Sequence, residues 1–185
     1  LDDWVAWAYR NGIDDRIIAF VRFRPELLFE FDPAHNPVAF PSPRSWEFAH
    51  RALQKFEHNN DLRLGAMQAC VGPAAGIELN AFIVNLDQLP DINAIIRGEK
   101  VPAPKEIDLQ YAVAASLVGH AIRAKDSADA QTIHGHILDY ASMFPQKEMG
   151  VMLVSDMHRA IGQDIFSVPQ FAEWSNAVAD IMLYS

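Results

Sequence analysis

The chain reads as an all-α protein, and three observations predict it. Apolar residues recur at helical spacing along nearly its whole length. No period-two alternation persists beyond four or five residues. Asp, Ser and Pro stand where helices should begin, and Gly, Asn and Pro where they should end.

Asp2 or Asp3 caps a first short helix through Trp4, Val5 and Ala8, ending at Asn11-Gly12. Asp14 and Asp15 open a second, with Ile17, Ile18, Phe20 and Val21 available for burial. Pro25 interrupts it and starts another turn, Glu26 to Phe31. Residues 32–41 hold Pro33, Pro37 and Pro41 and read as loop. From Pro43 to about Glu57 a helix presents Trp46, Ala49, Leu53 and Phe56 on one face, and Asn59-Asn60 break it. Asp61 to Cys70 form the next, closed at Gly72. Pro73 begins a long helix carrying Ile77, Phe82, Ile83 and Leu86, stopped by Pro90.

Asp91 to Arg97 make a short helix ending at Gly98. Gly98, Pro102 and Pro104 turn residues 98–105 into an extended connector, the sharpest domain boundary that composition offers. An Ala-rich helix follows from Leu109 to about Arg123. Asp126 or Ser127 caps another, through Ile133, Ile137, Leu138 and Tyr140, which stops before Pro145. The next runs from about Gln146 to Ala160. Within it, Val151 to Val154 has some strand character, but Met149 and Met157 assign it to a buried helix. Ser167-Val168-Pro169 starts the last, with Phe171, Trp174, Val178 and Ile181 facing inward. The expected organisation is a helical domain over 1–90 and a helical extension over 91–185. The later helices come in pairs with short links, without a detectable repeat.

Half of the 185 residues are hydrophobic, enough for a core and against disorder. The single cysteine, Cys70, excludes an internal disulfide, points to a reducing compartment, here taken as cytoplasmic, and reads as a buried, inert thiol. No apolar run of 18 residues exists, so no spanning helix is expected. The net charge of −9 argues against nonspecific nucleic-acid binding. Residues 1–65 hold eight basic and ten acidic side chains, a balance of −2; residues 66–185 hold seven and fourteen, a balance of −7.

Metal and nucleophile chemistry find little footing. Glu47 and His50 share the Glu-x-x-His spacing of carboxylate-bridged metal bundles, but the motif occurs once where such a site uses two. His134 and His136 point to different sides of a helix, and His120 reads as a partly buried core histidine. Ser116 and His120 sit at i, i+4 without a nucleophile-elbow motif. Trp4, Trp7, Trp46 and Trp174 read as core; adenine stacking on one of them is open, with nothing to select which. Phe20-Val21-Arg22-Phe23-Arg24 interleaves rings with cations but splits on a helix into an apolar and a basic face.

The sharpest local signal is Phe40-Pro41-Ser42-Pro43-Arg44-Ser45-Trp46-Glu47-Phe48. Ser42 is a good N-cap, and Pro43 falls at the first helical position, where its missing N–H costs nothing. Arg44 then lies in the first turn, where the helix dipole disfavours a cation by roughly 0.3–1 kcal/mol. A helix N-terminus with an arginine suits an anion.

Together with Trp4-Val5-Ala6-Trp7-Ala8, Asn11-Gly12-Ile13 and Phe23-Arg24-Pro25-Glu26-Leu27-Leu28, this stretch resembles the helical lid of a MoxR-like AAA+ ATPase, most clearly over residues 4–90. The resemblance implies that Arg44 is the sensor-2 arginine, reaching ATP phosphates on a core domain, with Ser42 and Pro43 completing the motif. It implies an ATP- and Mg²⁺-dependent remodelling machine of chaperone type, acting on an unknown protein client and built as a ring, usually hexameric. Arg22 and Arg24 are weaker candidates for the same interface. The chain has no G-x-x-x-x-G-K-[ST] loop and no apolar strand ending in Asp-Glu, so the ATP-binding core is expected upstream of Leu1, and the chain alone is expected to hydrolyse nothing. The alternative is a non-catalytic adaptor whose acidic residues 91–185 dock a basic partner.

Overall fold

The computed structural model describes residues 1–32 and 38–182, with side chains described through residue 179. The loop prolines Pro33 and Pro37, and the placement of the Ile181 side chain, lie outside the described residues. Ten α-helices and no strand occur among the described residues. They are α1 (Asp2–Arg10), α2 (Asp15–Phe23), α3 (Pro43–Phe56), α4 (Asn60–Val71), α5 (Pro73–Asn85), α6 (Ile92–Ile96), α7 (Ile107–Ala124), α8 (Ala130–Ala141), α9 (Lys147–Ile161) and α10 (Pro169–Met182). Contacts divide the chain into two compact units, Leu1–Asp87 and Gln88–Ser185.

In the first unit α3 packs on α4, α4 on α5, and α2 on both α1 and α5. Rings dominate its core. Phe20 lies 5.7 Å from Trp46 and 5.5 Å from Phe82, centroid to centroid. Trp46 is fully buried and donates its indole N–H to Leu27 O at 2.9 Å, which anchors the short 3-10 turn Pro25–Leu28. The backbones of α4 and α5 almost touch at Gly76: a β-carbon there would lie 2.5 Å from the Gln68 amide nitrogen. This close crossing decides which face of α5 turns inward. Ala75, Leu79, Phe82 and Ile83 are buried, whereas Ile77, expected inside, is 52% exposed. The α1 cap also differs from expectation: Leu1 is the N-cap, and Asp2 and Asp3 occupy the first turn, where acids favour the helix dipole. Phe56, at the end of the α3 stripe, is only half-buried.

Polar stitching reinforces this unit. Asp14 caps α2 by accepting from the Arg16 amide at 3.0 Å, and its carboxylate also takes two guanidinium bonds from Arg16. Burial pushes the Asp14 carboxyl up, but the Arg16 hydrogen bonds and charge outweigh it and hold the group below the usual carboxylate range. Arg63 is buried and donates to Asn80 Oδ1, Asn60 Oδ1 and Glu57 O, tying α5 and both ends of the α3–α4 link together.

The second unit is organised around α7, which buries eleven of its eighteen residues, five of them alanines. Helices α6, α8 and α9 pack on α7, and α10 packs on α8 and α9. The connector 98–105 is internal to this unit rather than a boundary, because α6, which precedes it, buries Ala94 and Ile95 against α7 and α8. Helix α8 begins at Ala130, not at Asp126 or Ser127. Turn bonds from the Ser127 amide to Ala124 O and from the Ala130 amide to Ser127 O use those residues to reverse the chain. Val151 to Val154 are helical within α9.

Candidate functional site

The turn that presents Arg44 is built by its neighbours. Ser42 is extended, with φ −156° and ψ 160°. Its hydroxyl accepts from the Ser45 amide at 3.1 Å, while the Ser42 amide donates to Ser45 Oγ at 2.7 Å. Ser45 Oγ in turn donates to Phe40 O at 2.9 Å. This reciprocal capping box, with Pro43 fixing φ at the first position, holds the start of α3. Ser42 and Pro43 are thus committed to shaping the turn, and Arg44 is left to face outward.

Arg44 is exposed and has no hydrogen bond or ion pair among the described residues. The other six arginines of the first unit all have oxygen partners. Arg10 donates to Ala6 O, Arg16 pairs with Asp14 and Glu57, and Arg51 pairs with Glu47. Arg63 is held by amide and carbonyl oxygens. Arg22 pairs with Asp2, and Arg24 with Glu26 and Glu78, so the two weaker sequence candidates are committed to carboxylates. The first turn of α3 carries no acidic residue. The Ser45 and Trp46 amides are taken by Ser42, so an anionic oxygen arriving there would meet the guanidinium, the positive end of the helix dipole and the Arg44 amide.

Two hollows flank Arg44. One, of about 380 Å³, is walled by Asp3, Trp4, Trp7, Pro43 and Glu47. The other, of about 400 Å³, is walled by Phe40, Ser42, Ser45, Phe48 and Cys70 among others and holds no carboxylate among the described residues. Electrostatics therefore favours an anion on the α4 side, away from Asp3 and Glu47. Phe48 (47% exposed) and Val38 (92% exposed) leave that side with an apolar rim. Cys70 in its wall is half-buried rather than fully buried, and burial pushes its thiol up, which keeps it protonated. Trp7 is half-buried on the other side, whereas Trp4, Trp46 and Trp174 are buried. The sequence held a signal for this wall in the i, i+3 spacing of Trp4 and Trp7, but nothing in it linked α1 to the start of α3.

The remaining constellations have structural partners. Glu47 is taken by Arg51, and His50 Nδ1 accepts the Asp14 amide at 3.1 Å, so Glu47 and His50 are not a metal pair. No group of three or more His, Cys, Asp or Glu side chains is placed to hold a metal ion among the described residues. His134 is buried and bonds Ala121 O at 3.0 Å. His120 is half-buried, and burial, with the Arg123 charge, pushes its imidazole down. No hydrogen bond joins Ser116 to His120 among the described residues. In the Phe20–Arg24 run, Phe20 and Val21 are buried and the half-buried Phe23 stacks on Phe82 at 6.0 Å.

Counted by structural units, the charge contrast fades. The first unit holds eight basic and twelve acidic residues, −4, and the second seven and twelve, −5, because Glu78 and Asp87 belong to the first. Charge alone singles out neither unit as a docking module. No described helix is long and apolar enough to cross a membrane. Comparison with protein-family models, with curated proteins and with solved structures finds no match to this chain.

Proposed function

We propose that the first unit is the nucleotide-sensing lid of a MoxR-like AAA+ ATPase, with Arg44 as the residue that meets ATP phosphates carried on a separate core domain. The observation that supports this reading is the state of Arg44: an exposed cation in the first turn of a firmly capped helix, with no partner among the described residues, in a unit whose other arginines are all engaged. The carboxylate-free hollow on its α4 side leaves room for phosphate oxygens. The core would bring the P-loop and Mg²⁺, and Ser42 and Pro43 would hold Arg44 in register. Positive charge preorganised on a transferring phosphoryl group lowers the barrier without reorganisation in the reaction itself. Ring assembly and ATP-driven remodelling of a protein client belong to the same proposal.

The test is ATP turnover by a polypeptide in which this chain follows its P-loop core, with Arg44 and with Arg44→Ala. The expected result is a loss of tenfold or more, about 1.4 kcal/mol of barrier. No turnover by the joined protein, or an unchanged rate in the variant, would overturn the assignment.

A further inference from the structure

The second unit contains a hollow of about 260 Å³ between the end of α6 and one face of α8. His136, Asp139 and Tyr140 line it from one face of α8, and Met143, in the turn just past the helix's end, continues their spacing at i, i+3, i+4 and i+7. Ile95 lies opposite, and Glu99 and Lys100 form the rim.

Three features make this a built recess. The His136 ring is fixed: Nδ1 donates to Ile96 O at 2.8 Å, and Nε2 has no hydrogen-bond partner among the described residues. The chain closes over that ring at Gly98, whose φ of +78° and lack of a side chain are both required, since a β-carbon would lie 2.6 Å from Nε2. Finally, Asp139 and Lys100 line one small recess with opposite charges, yet no ion pair joins them among the described residues. Glu99, by contrast, is bound to Arg97.

Opposite charges that border the same space without meeting suit a ligand that carries both. We propose that this hollow binds a free apolar α-amino acid as its zwitterion. The ammonium donates to the Asp139 carboxylate and to His136 Nε2, the carboxylate meets Lys100, and the side chain lies against Ile95, Met143 and the Tyr140 ring. The hollow is of amino-acid size, which favours a small molecule over a protein segment.

The experiment is calorimetric titration of the whole chain with L-leucine, N-acetyl-L-leucine and L-leucinamide. L-Leucine should bind saturably with a Kd of roughly 1 mM or tighter. Blocking either end, or making Asp139→Asn or Lys100→Gln, should weaken binding by tenfold or more. Both positions are exposed, so neither change should disturb folding. A shift of the Met143 methyl resonance on adding L-leucine places the ligand in this hollow. No saturable binding up to 50 mM (about fifty times that limit), binding unaffected by blocking one end, or binding without a shift at Met143 would each overturn the proposal. None of these outcomes bears on ATP turnover through Arg44.

Discussion

The two units solve the same problem, a helical core in under a hundred residues each, with different materials. The first packs large rings, Phe20, Trp46 and Phe82, and fastens them with arginine bonds and helix caps. The second winds around α7, where five buried alanines let neighbouring helices come close. Their cations differ likewise. The first unit carries seven arginines and one lysine, six of the arginines bound. The second carries only three arginines, Arg97 and Arg159 among them ion-paired, and four lysines, all exposed and without ion pairs among the described residues. A ring core should fail by truncation, an alanine core by enlargement, and an unpaired cation should matter least to stability of all.

The largest effect is expected at Trp46. Trp46→Ala removes a fully buried ring and its bond to Leu27 O, and should cost about 3–5 kcal/mol in urea unfolding. Next comes Ala121→Leu in α7, at a position with no exposure. Overpacking should cost about 1–3 kcal/mol, while Ala74→Leu, on the exposed face of α5, should stay within about 0.5 kcal/mol. If Ala121→Leu were as harmless as Ala74→Leu, the contrast between the cores would collapse.

Asp14→Ala should cost about 1–2 kcal/mol at neutral pH, through the lost cap and Arg16 bonds. The Asp14 carboxyl is held low in the folded state, so its contribution is fully present above the unfolded carboxylate value near pH 4. That contribution is lost as the pH falls through the lowered folded value. Unfolding curves of wild type and variant should therefore converge in acid; a gap that stays constant down to pH 2 (about two units below an ordinary carboxylate) would assign the effect to something other than this charge. The smallest effect is expected at Arg44. Arg44→Ala should change stability by no more than about 0.5 kcal/mol, because the cation has no partner to lose and sits against the helix dipole. A large loss would mean that Arg44 is structural.

Helix positions were legible because helix signals are local. Ser42-Pro43 and Asp14 announced α3 and α2, and both caps form. What the sequence concealed depends on how helices meet. Ile77 has the right spacing for burial, but the crossing at Gly76 turns its face outward. The Pro-rich stretch 98–105 has linker composition, yet α6 ahead of it is buried in the same unit, and its loop crosses α8. The Arg44 turn was readable residue by residue. The hollows beside it were not, because Trp7 and Cys70 reach them from α1 and α4. The isolation of Arg44 was equally hidden, since it depends on Arg22, Arg24 and Arg51 finding carboxylates elsewhere in the fold.

The touching backbones at Gly76 carry a consequence in time as well as in space. Helices α4 and α5 are joined through Gly72 alone, so their contact closes one of the shortest loops in the molecule. Loops of that size close in well under a microsecond, far sooner than contacts between distant segments. The α4–α5 corner is therefore available as an early nucleus onto which α3 and α2 add. Obstructing it with Gly76→Ala should slow the folding limb of the chevron while leaving the unfolding limb nearly unmoved, the signature of a residue already in place at the transition state.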